Sequence, residues 1–261
     1  MYSKTIIDTS FPKAWERAVE FIKKSNHRIT FGGGLEVKHA VDSSVTVILD
    51  NNAINDVLKH IVHPSDSFCT DRYGNPSEDR ICAYIKEYDK DFDYTKFVYT
   101  YYGEMVNGKT NLINKLKDGL MFQIESTYTD KNGNIIKGLP SNRNVVTLLN
   151  NERWGMLDSL PCWNILWIRL ERIDEDGTVW VSVSTWYRSH DVTDAWESNF
   201  IAQVTMVVRD ILEPLNAKIL SWTEGNASLH IYEHNLDIKL KNIPRNPMLQ
   251  RLQDKYDSRG D

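Results

Sequence analysis

Residues 163–187 read WNILWIRLERIDEDGTVWVSVSTWY. Trp163–Ile173 and Val179–Tyr187 are long β-prone runs rich in branched and aromatic side chains. Between them, Asp174-Glu175-Asp176-Gly177 is a turn signal, so the stretch predicts a β-hairpin. Downstream, Phe200, Ile201, Val204, Val207, Val208, Ile211 and Leu212 fall on one face of a long helix that ends near Pro214. Strand-like runs follow at Lys218–Trp222, Leu229–Tyr232 and Leu236–Leu240. Upstream, Asn144–Leu149 reads as a strand, Tyr128–Gly138 holds a turn at Asp130-Lys131-Asn132-Gly133, and Asn111–Leu120 reads as a short helix. Residues 64–80 form a polar, turn-rich excursion. Ala53–Val62 reads as a helix stopped by His63-Pro64, and Ser44–Leu49 as a strand. Asn26–Gly34, with glycine at 32, 33 and 34, reads as a loop. Ser10-Phe11-Pro12 starts a helix with the Ser10 hydroxyl as cap, continued by Trp15, Ala18, Val19 and Ile22. Helices and strands mix without βαβ alternation. This predicts a single α+β domain over 1–261, with helices covering a large mixed sheet.

Composition narrows the function. The chain has 261 residues, 41% hydrophobic and 26% charged, enough for a sizeable core. A net charge of −5 with no basic tract argues against a nucleic-acid surface. No apolar run is long enough to predict a membrane span, and Met1–Pro12 lacks the pattern of a secretory signal. Cys69, Cys82 and Cys162 make neither a disulfide framework nor a zinc site, and they fit a reducing cytoplasm. Of eight tryptophans, only Trp15 lies before Trp154.

Candidate chemistry collects in the Trp-rich half. Pro161-Cys162-Trp163 places a thiol where a loop enters the first hairpin strand. A nearby cation makes such a thiol a nucleophile; without one it is a small core residue. Arg188-Ser189-His190-Asp191 leaves the second strand, and Arg with Ser is a natural phosphate grip. Asn199 follows eleven residues after Arg188, and its amide offers a donor beside an acceptor, matching one edge of a pyrimidine. His230 and Tyr232 share one strand face and could hold a sugar hydroxyl. They lack the partners of a metal site. Gly32–Gly34 lacks the Walker and Rossmann patterns, so NTPase and dinucleotide chemistry are rejected.

Taken in order, these segments resemble the thymidylate synthase family, which includes the deoxypyrimidine hydroxymethylases. The phosphate strand resembles Ser141-Asn142-Arg143-Asn144-Val145-Val146-Thr147, and the catalytic loop resembles Asn150 to Cys162. The Arg-Ser-x-Asp motif is Arg188 to Asp191, the base-reading Asn is Asn199, and the His-x-Tyr strand is His230-Ile231-Tyr232. Pro244-Arg245-Asn246-Pro247 resembles the Pro-rich exit. Before Ser141 only Tyr101-Tyr102-Gly103-Glu104 resembles a family element. Asn142 stands where the family has a first Arg, and Trp163 stands where many members have His. The family's helix-borne Glu has only Asp56 or His60 as candidate counterparts. The hairpin is longer, and little chain follows Pro247, which implies a less fully closed site.

The resemblance implies a homodimer formed through the sheet. It implies transfer of a one-carbon unit from 5,10-methylenetetrahydrofolate to C5 of dUMP, through a covalent bond from Cys162 to C6. Arg143 (from the partner subunit), Arg188, Ser189 and Arg28 would hold the phosphate. Asn199 would read the base, with Asn favouring uracil. His230 and Tyr232 would bind the sugar, Asp191 would order the folate side, and Tyr102 would join the water network that removes the C5 proton. The product is dTMP in a synthase and 5-hydroxymethyl-dUMP in a hydroxymethylase; a dCMP or CMP hydroxymethylase ranks lower. The rivals from other classes are a catalytically silent nucleotide-binding protein and a cysteine hydrolase that uses His190 or His230.

Overall fold

The computed structural model of the chain describes residues 3–32, 37–62, 88, 100–106, 110–148, 161–193 and 195–236. Cys69, Cys82, the 64–80 excursion, most of the Asn150–Cys162 loop and the Pro-rich exit lie outside them.

One mixed sheet organises the molecule. Its strands are β1 (Ser3–Asp8), β2 (Arg28–Gly32), β3 (Val37–Asp50), β6 (Val145–Thr147), β7 (Trp163–Ile173), β8 (Val179–Tyr187), β9 (His190–Asp191) and β10 (Ala217–Tyr232). The order is β1-β3-β10-β8-β7-β6, with β2 beside β3 and β9 beside β10. β1 runs parallel to β3, and β10 runs antiparallel to β3 but parallel to β8 and β9. A separate small hairpin pairs β4 (Thr127–Thr129) with β5 (Ile135–Lys137).

The predicted β7–β8 hairpin forms with the predicted bounds. Gly177 adopts φ +82°, and its N–H donates to Asp174 O at 2.9 Å. Glycine populates that backbone region without a Cβ penalty. Side chains alternate along β7 and β8, so Leu166, Ile168, Leu170, Val181 and Val183 are buried on one face. Ile165 and Trp186 pair across the strands and stay exposed on the other face.

Helices cover the buried face. α1 (Phe11–Lys23) buries Phe11, Ala14, Ala18, Val19 and Ile22. Its start differs from expectation. Ser10 makes no side-chain cap bond, and Asp8 Oδ1 accepts instead from the N–H groups of Thr9 and Ser10. α2 (Asn51–Val62) is capped by Asp50, whose Oδ1 accepts from Ala53 N at 3.0 Å. After α3 (Tyr101–Val106), α4 (Leu112–Glu125) is capped by Asn111. Gly119 on α4 packs closely against Asn144: a Cβ there would lie 2.3 Å from its Oδ1, so that side chain would have to shift. α5 (Trp196–Met206) is buried on nearly every side and continues through a π-helical turn, Val207–Leu212. Phe200 stacks on Phe11 at 4.3 Å and meets Trp222 edge-on at 5.6 Å, which locks α5 between α1 and β10.

Two strands depart from the sequence reading. The expected loop Asn26–Gly34 contains β2, which pairs antiparallel with Val37–Val41 of β3. The runs Lys218–Trp222 and Leu229–Tyr232 are one strand, β10, continuous through Thr223–Ser228 with a register shift between Asn226 and Leu229. Glu233–Leu236 then forms a helical turn, α6, where a further strand was expected to begin.

Candidate active site

Hairpin register builds the first half of the site. Trp163 pairs with Tyr187, which sets Cys162 across from Arg188. The Arg188 N–H donates to Cys162 O at 2.9 Å, and Arg188 Nε donates to Pro161 O at 3.2 Å. Asn164 Nδ2 also donates to Pro161 O, at 3.0 Å, so the turn that presents the thiol is held from two strands. Tyr101 hydrogen-bonds the thiol, and its ring meets Trp163 edge-on at 5.8 Å. Burial pushes the Cys162 thiol above its ordinary value; the Arg188 charge and the Tyr101 hydrogen bond pull it back only part of the way.

A buried polar cluster builds the second half. β9 lies parallel to the end of β10, pairing His190 with Leu229 and Asp191 with His230. Asn199 and Gln203 stand one turn apart on the same face of α5. Asn199 Nδ2 donates to His190 Nε2 at 3.0 Å, and Gln203 Nε2 donates to Tyr187 Oη. The His190 ring stacks on Tyr187 at 4.0 Å. Its Nδ1 lies 3.2 Å from Asn226 Oδ1 and 3.5 Å from Glu224 Oε1. Asn226 Nδ2 donates to Glu224 Oε1 at 3.0 Å, and Glu224 is 1% exposed. Burial pushes the Tyr187 phenol far up, so it stays protonated.

His230 meets Tyr232 edge-on at 4.9 Å. Burial lowers His230, opposed by the charge of Asp191. Asp191 Oδ1 accepts from Thr193 N and Oγ1, at 2.9 and 2.7 Å, and so turns the chain into α5. Nearby, buried Asp42 accepts from Ser228 Oγ at 2.7 Å and pairs with His27.

Cys162, Arg188, Ser189, Asp191, Asn199, His230 and Tyr232 thus gather along the adjoining ends of β7, β8, β9 and β10 and the first turns of α5. Arg28 is not in a loop: it lies on β2 and pairs with Glu233, beside Tyr232. Arg143 is exposed before β6. Among the described residues it makes no side-chain contact with this cluster, and its backbone N–H is held by Ser141 Oγ at 3.2 Å. Tyr101 hydrogen-bonds the thiol, and its neighbour Tyr102 on α3 is buried at 6% exposure. Asp56 pairs with Lys59 on α2 at 3.1 Å, and the His60 side chain lies outside the described residues. Buried Glu224, beside His190, is a carboxylate of the site that sequence reasoning missed. Its signal was a charge in phase with Trp222 on the buried side of a strand. Among the described residues no cluster of ligating side chains could hold a metal ion, and no helix is long and apolar enough to cross a membrane.

The backbone resembles known structures. It superposes on thermostable thymidylate synthase A from Bacillus subtilis with a TM-score of 0.51 and 12% identity, over 90% of this chain and 84% of that one. It also superposes on the thymidylate synthase of T4 phage, with a TM-score of 0.50 and 11% identity, over 87% and 78% of the two chains. The fold is that of the thymidylate synthases. No family model matches the sequence, and no curated protein matches it.

Proposed function

We propose that the chain is a folate-dependent transferase that adds a one-carbon unit to C5 of dUMP through a Cys162–C6 bond, giving dTMP. The cross-strand pair of Cys162 and Arg188 carries this proposal, because it sets a thiol beside a forked cation. C5 of a pyrimidine is a poor nucleophile; thiolate addition at C6 moves electron density onto it. Arg188 and Ser189 grip the phosphate, Arg143 of one subunit reaches the site of the other in a homodimer, and Arg28 adds charge at the Tyr232 end. Asn199 reads the base edge, and His230 and Tyr232 hold the 3′-hydroxyl. Tyr101 manages the thiol proton, and Tyr102 joins the water network that removes the C5 proton.

5,10-Methylenetetrahydrofolate supplies the one-carbon unit and, for a methyl product, the hydride. A carboxylate suits the N–H donors of a folate ring, and Asp191 is the residue we assign to that side. The exposed sheet face around Ile165 and Trp186 is the face we assign to the homodimer. We assign the reaction to a reducing cytoplasm, where the Cys162 thiol would stay free.

Incubation with dUMP and methylenetetrahydrofolate, followed by mass measurement of the nucleotide, tests the function. A methyl gain supports the synthase, and a hydroxymethyl gain assigns the dUMP hydroxymethylase. Product from dCMP or CMP alone overturns the base assignment. The raised thiol of Cys162 favours one other function, a silent nucleotide-binding protein. An adduct of 5-fluoro-dUMP on Cys162 in the presence of folate eliminates it. A cysteine hydrolase based on His190 is disfavoured, because that ring is engaged with Asn199 and Asn226 while the thiol meets Tyr101 and Arg188.

A further inference from the structure

We propose that Glu224, acting through Asn226 and His190, fixes which way the Asn199 amide faces and thereby makes the site select uracil over cytosine. This rests on the function proposed above, in which Asn199 reads the edge of a pyrimidine nucleotide. A carboxylate only accepts hydrogen bonds. Asn226 therefore turns Nδ2 toward Glu224 Oε1, at 3.0 Å, and presents Oδ1 to His190. Oδ1 also only accepts, so the proton of the His190 ring sits on Nδ1, which the nearby Glu224 Oε1 at 3.5 Å reinforces. His190 Nε2 is left as an acceptor, and Asn199 must turn its Nδ2 toward it, at 3.0 Å. Each bond dictates the polarity of the next, and the carboxylate anchors the series.

One N–H of Asn199 is thereby committed. The other N–H and Oδ1 remain for a ligand, in one order only. Uracil presents an N3–H donor beside the O4 acceptor, whereas cytosine presents an N3 acceptor beside a 4-amino donor. The two bases therefore ask for opposite orientations of the amide. Reversal would bring Asn199 Oδ1 against His190 Nε2, acceptor against acceptor, inside a buried cluster where an unmade bond is costly. His190 and Glu224 are thus positioning residues that touch neither base nor reacting atoms. A glutamine at 224 donates as well as accepts, so the whole series can run either way.

The experiment measures dUMP and dCMP affinity for the full chain and its Glu224→Gln variant, and the tautomer of His190 by ¹⁵N NMR, with the ring assigned through His190→Asn. The wild type is expected to hold the Nδ1–H tautomer and to prefer dUMP by about tenfold or more. In Glu224→Gln that preference should fall by about tenfold, with the Nε2–H tautomer becoming populated. A purely structural role would weaken both nucleotides alike and leave the ratio unchanged. A wild type that selects dUMP while the variant keeps the same ratio overturns this inference and leaves the proposed function standing. A wild type that binds neither nucleotide overturns both. An Nε2–H tautomer in the wild type overturns the inference even if the variant does not fold.

Discussion

The two halves of the site are held by different physics. Cys162 and Arg188 are placed by backbone register: an antiparallel hairpin with a Gly177 turn fixes which residue faces which. The cluster of His190, Asn199, Glu224 and Asn226 is placed by side-chain hydrogen bonds among buried groups. Register tolerates side-chain change, because the backbone does the positioning. A buried polar series does not, because each member completes the next. The hairpin half should therefore lose chemistry without losing structure, whereas the cluster half should show its substitutions in selectivity and in pH dependence.

The largest expected effect is at the nucleophile. Cys162→Ser should lower turnover by about a thousandfold or more and abolish the 5-fluoro-dUMP adduct, with the thermal midpoint almost unchanged. Nucleotide mass and intact-protein mass measure both. Arg188→Gln comes next. Removing the cation leaves burial less opposed, so the thiol rises further, and iodoacetamide labelling at fixed pH should slow by several-fold. Labelling rate against pH should shift to higher pH; a shift to lower pH breaks the electrostatic account.

Gly225→Ala tests the sheet behind both halves. A Cβ would lie 2.0 Å from Trp186 Cε3, so the indole must move. We expect a loss of about 1–3 kcal/mol, seen as a thermal midpoint several degrees lower. The smallest effect is at the cluster end. Burial holds His230 below its ordinary value of about 6.5, so the unfolded chain binds the extra proton first. Stability from this residue is therefore present above that ordinary value and lost as pH falls below it toward the folded-state value. His230→Asn should flatten this acid-side slope in denaturant midpoints measured across pH; an unchanged slope contradicts the assignment.

The same division explains what was legible in the sequence. Trp163–Tyr187 was readable to its ends, because alternation and a glycine turn are local signals. β10 read as separate pieces because Glu224, Gly225 and Asn226 break the strand pattern. The structure runs the strand through them: the two polar residues bond His190 and one another, and Gly225 makes room for Trp186. Functional clusters are where local patterns and the final fold disagree. β2 was hidden by Gly32–Gly34, which colours the whole of Asn26–Gly34 as loop although Arg28–Gly32 pairs with β3. The tyrosine that meets Cys162, Tyr101, carried no signal of its own in the sequence, because its contacts with the thiol and with Trp163 are made across the fold. The motif residues Cys162, Arg188, Asn199 and His230 were visible one by one, but Glu224 belongs to no motif and needed the buried face of β10 to be seen.

β10 also sets where this chain can change length. It pairs with β3, β8 and β9 at once, and residues of both its faces have fixed partners. Deleting or inserting one residue between Ser221 and Glu224, past the bulge that β10 carries against β8 at Leu220, would exchange the inward and outward sets. Glu224 would then point away from His190, and a side chain would be driven into Trp186. The turns at Gly133 and Gly177 are open, with nothing within 4 Å of a Cβ at either glycine. Lineages related to this protein can therefore drift in length at those two tips, while the central strand keeps a fixed residue count.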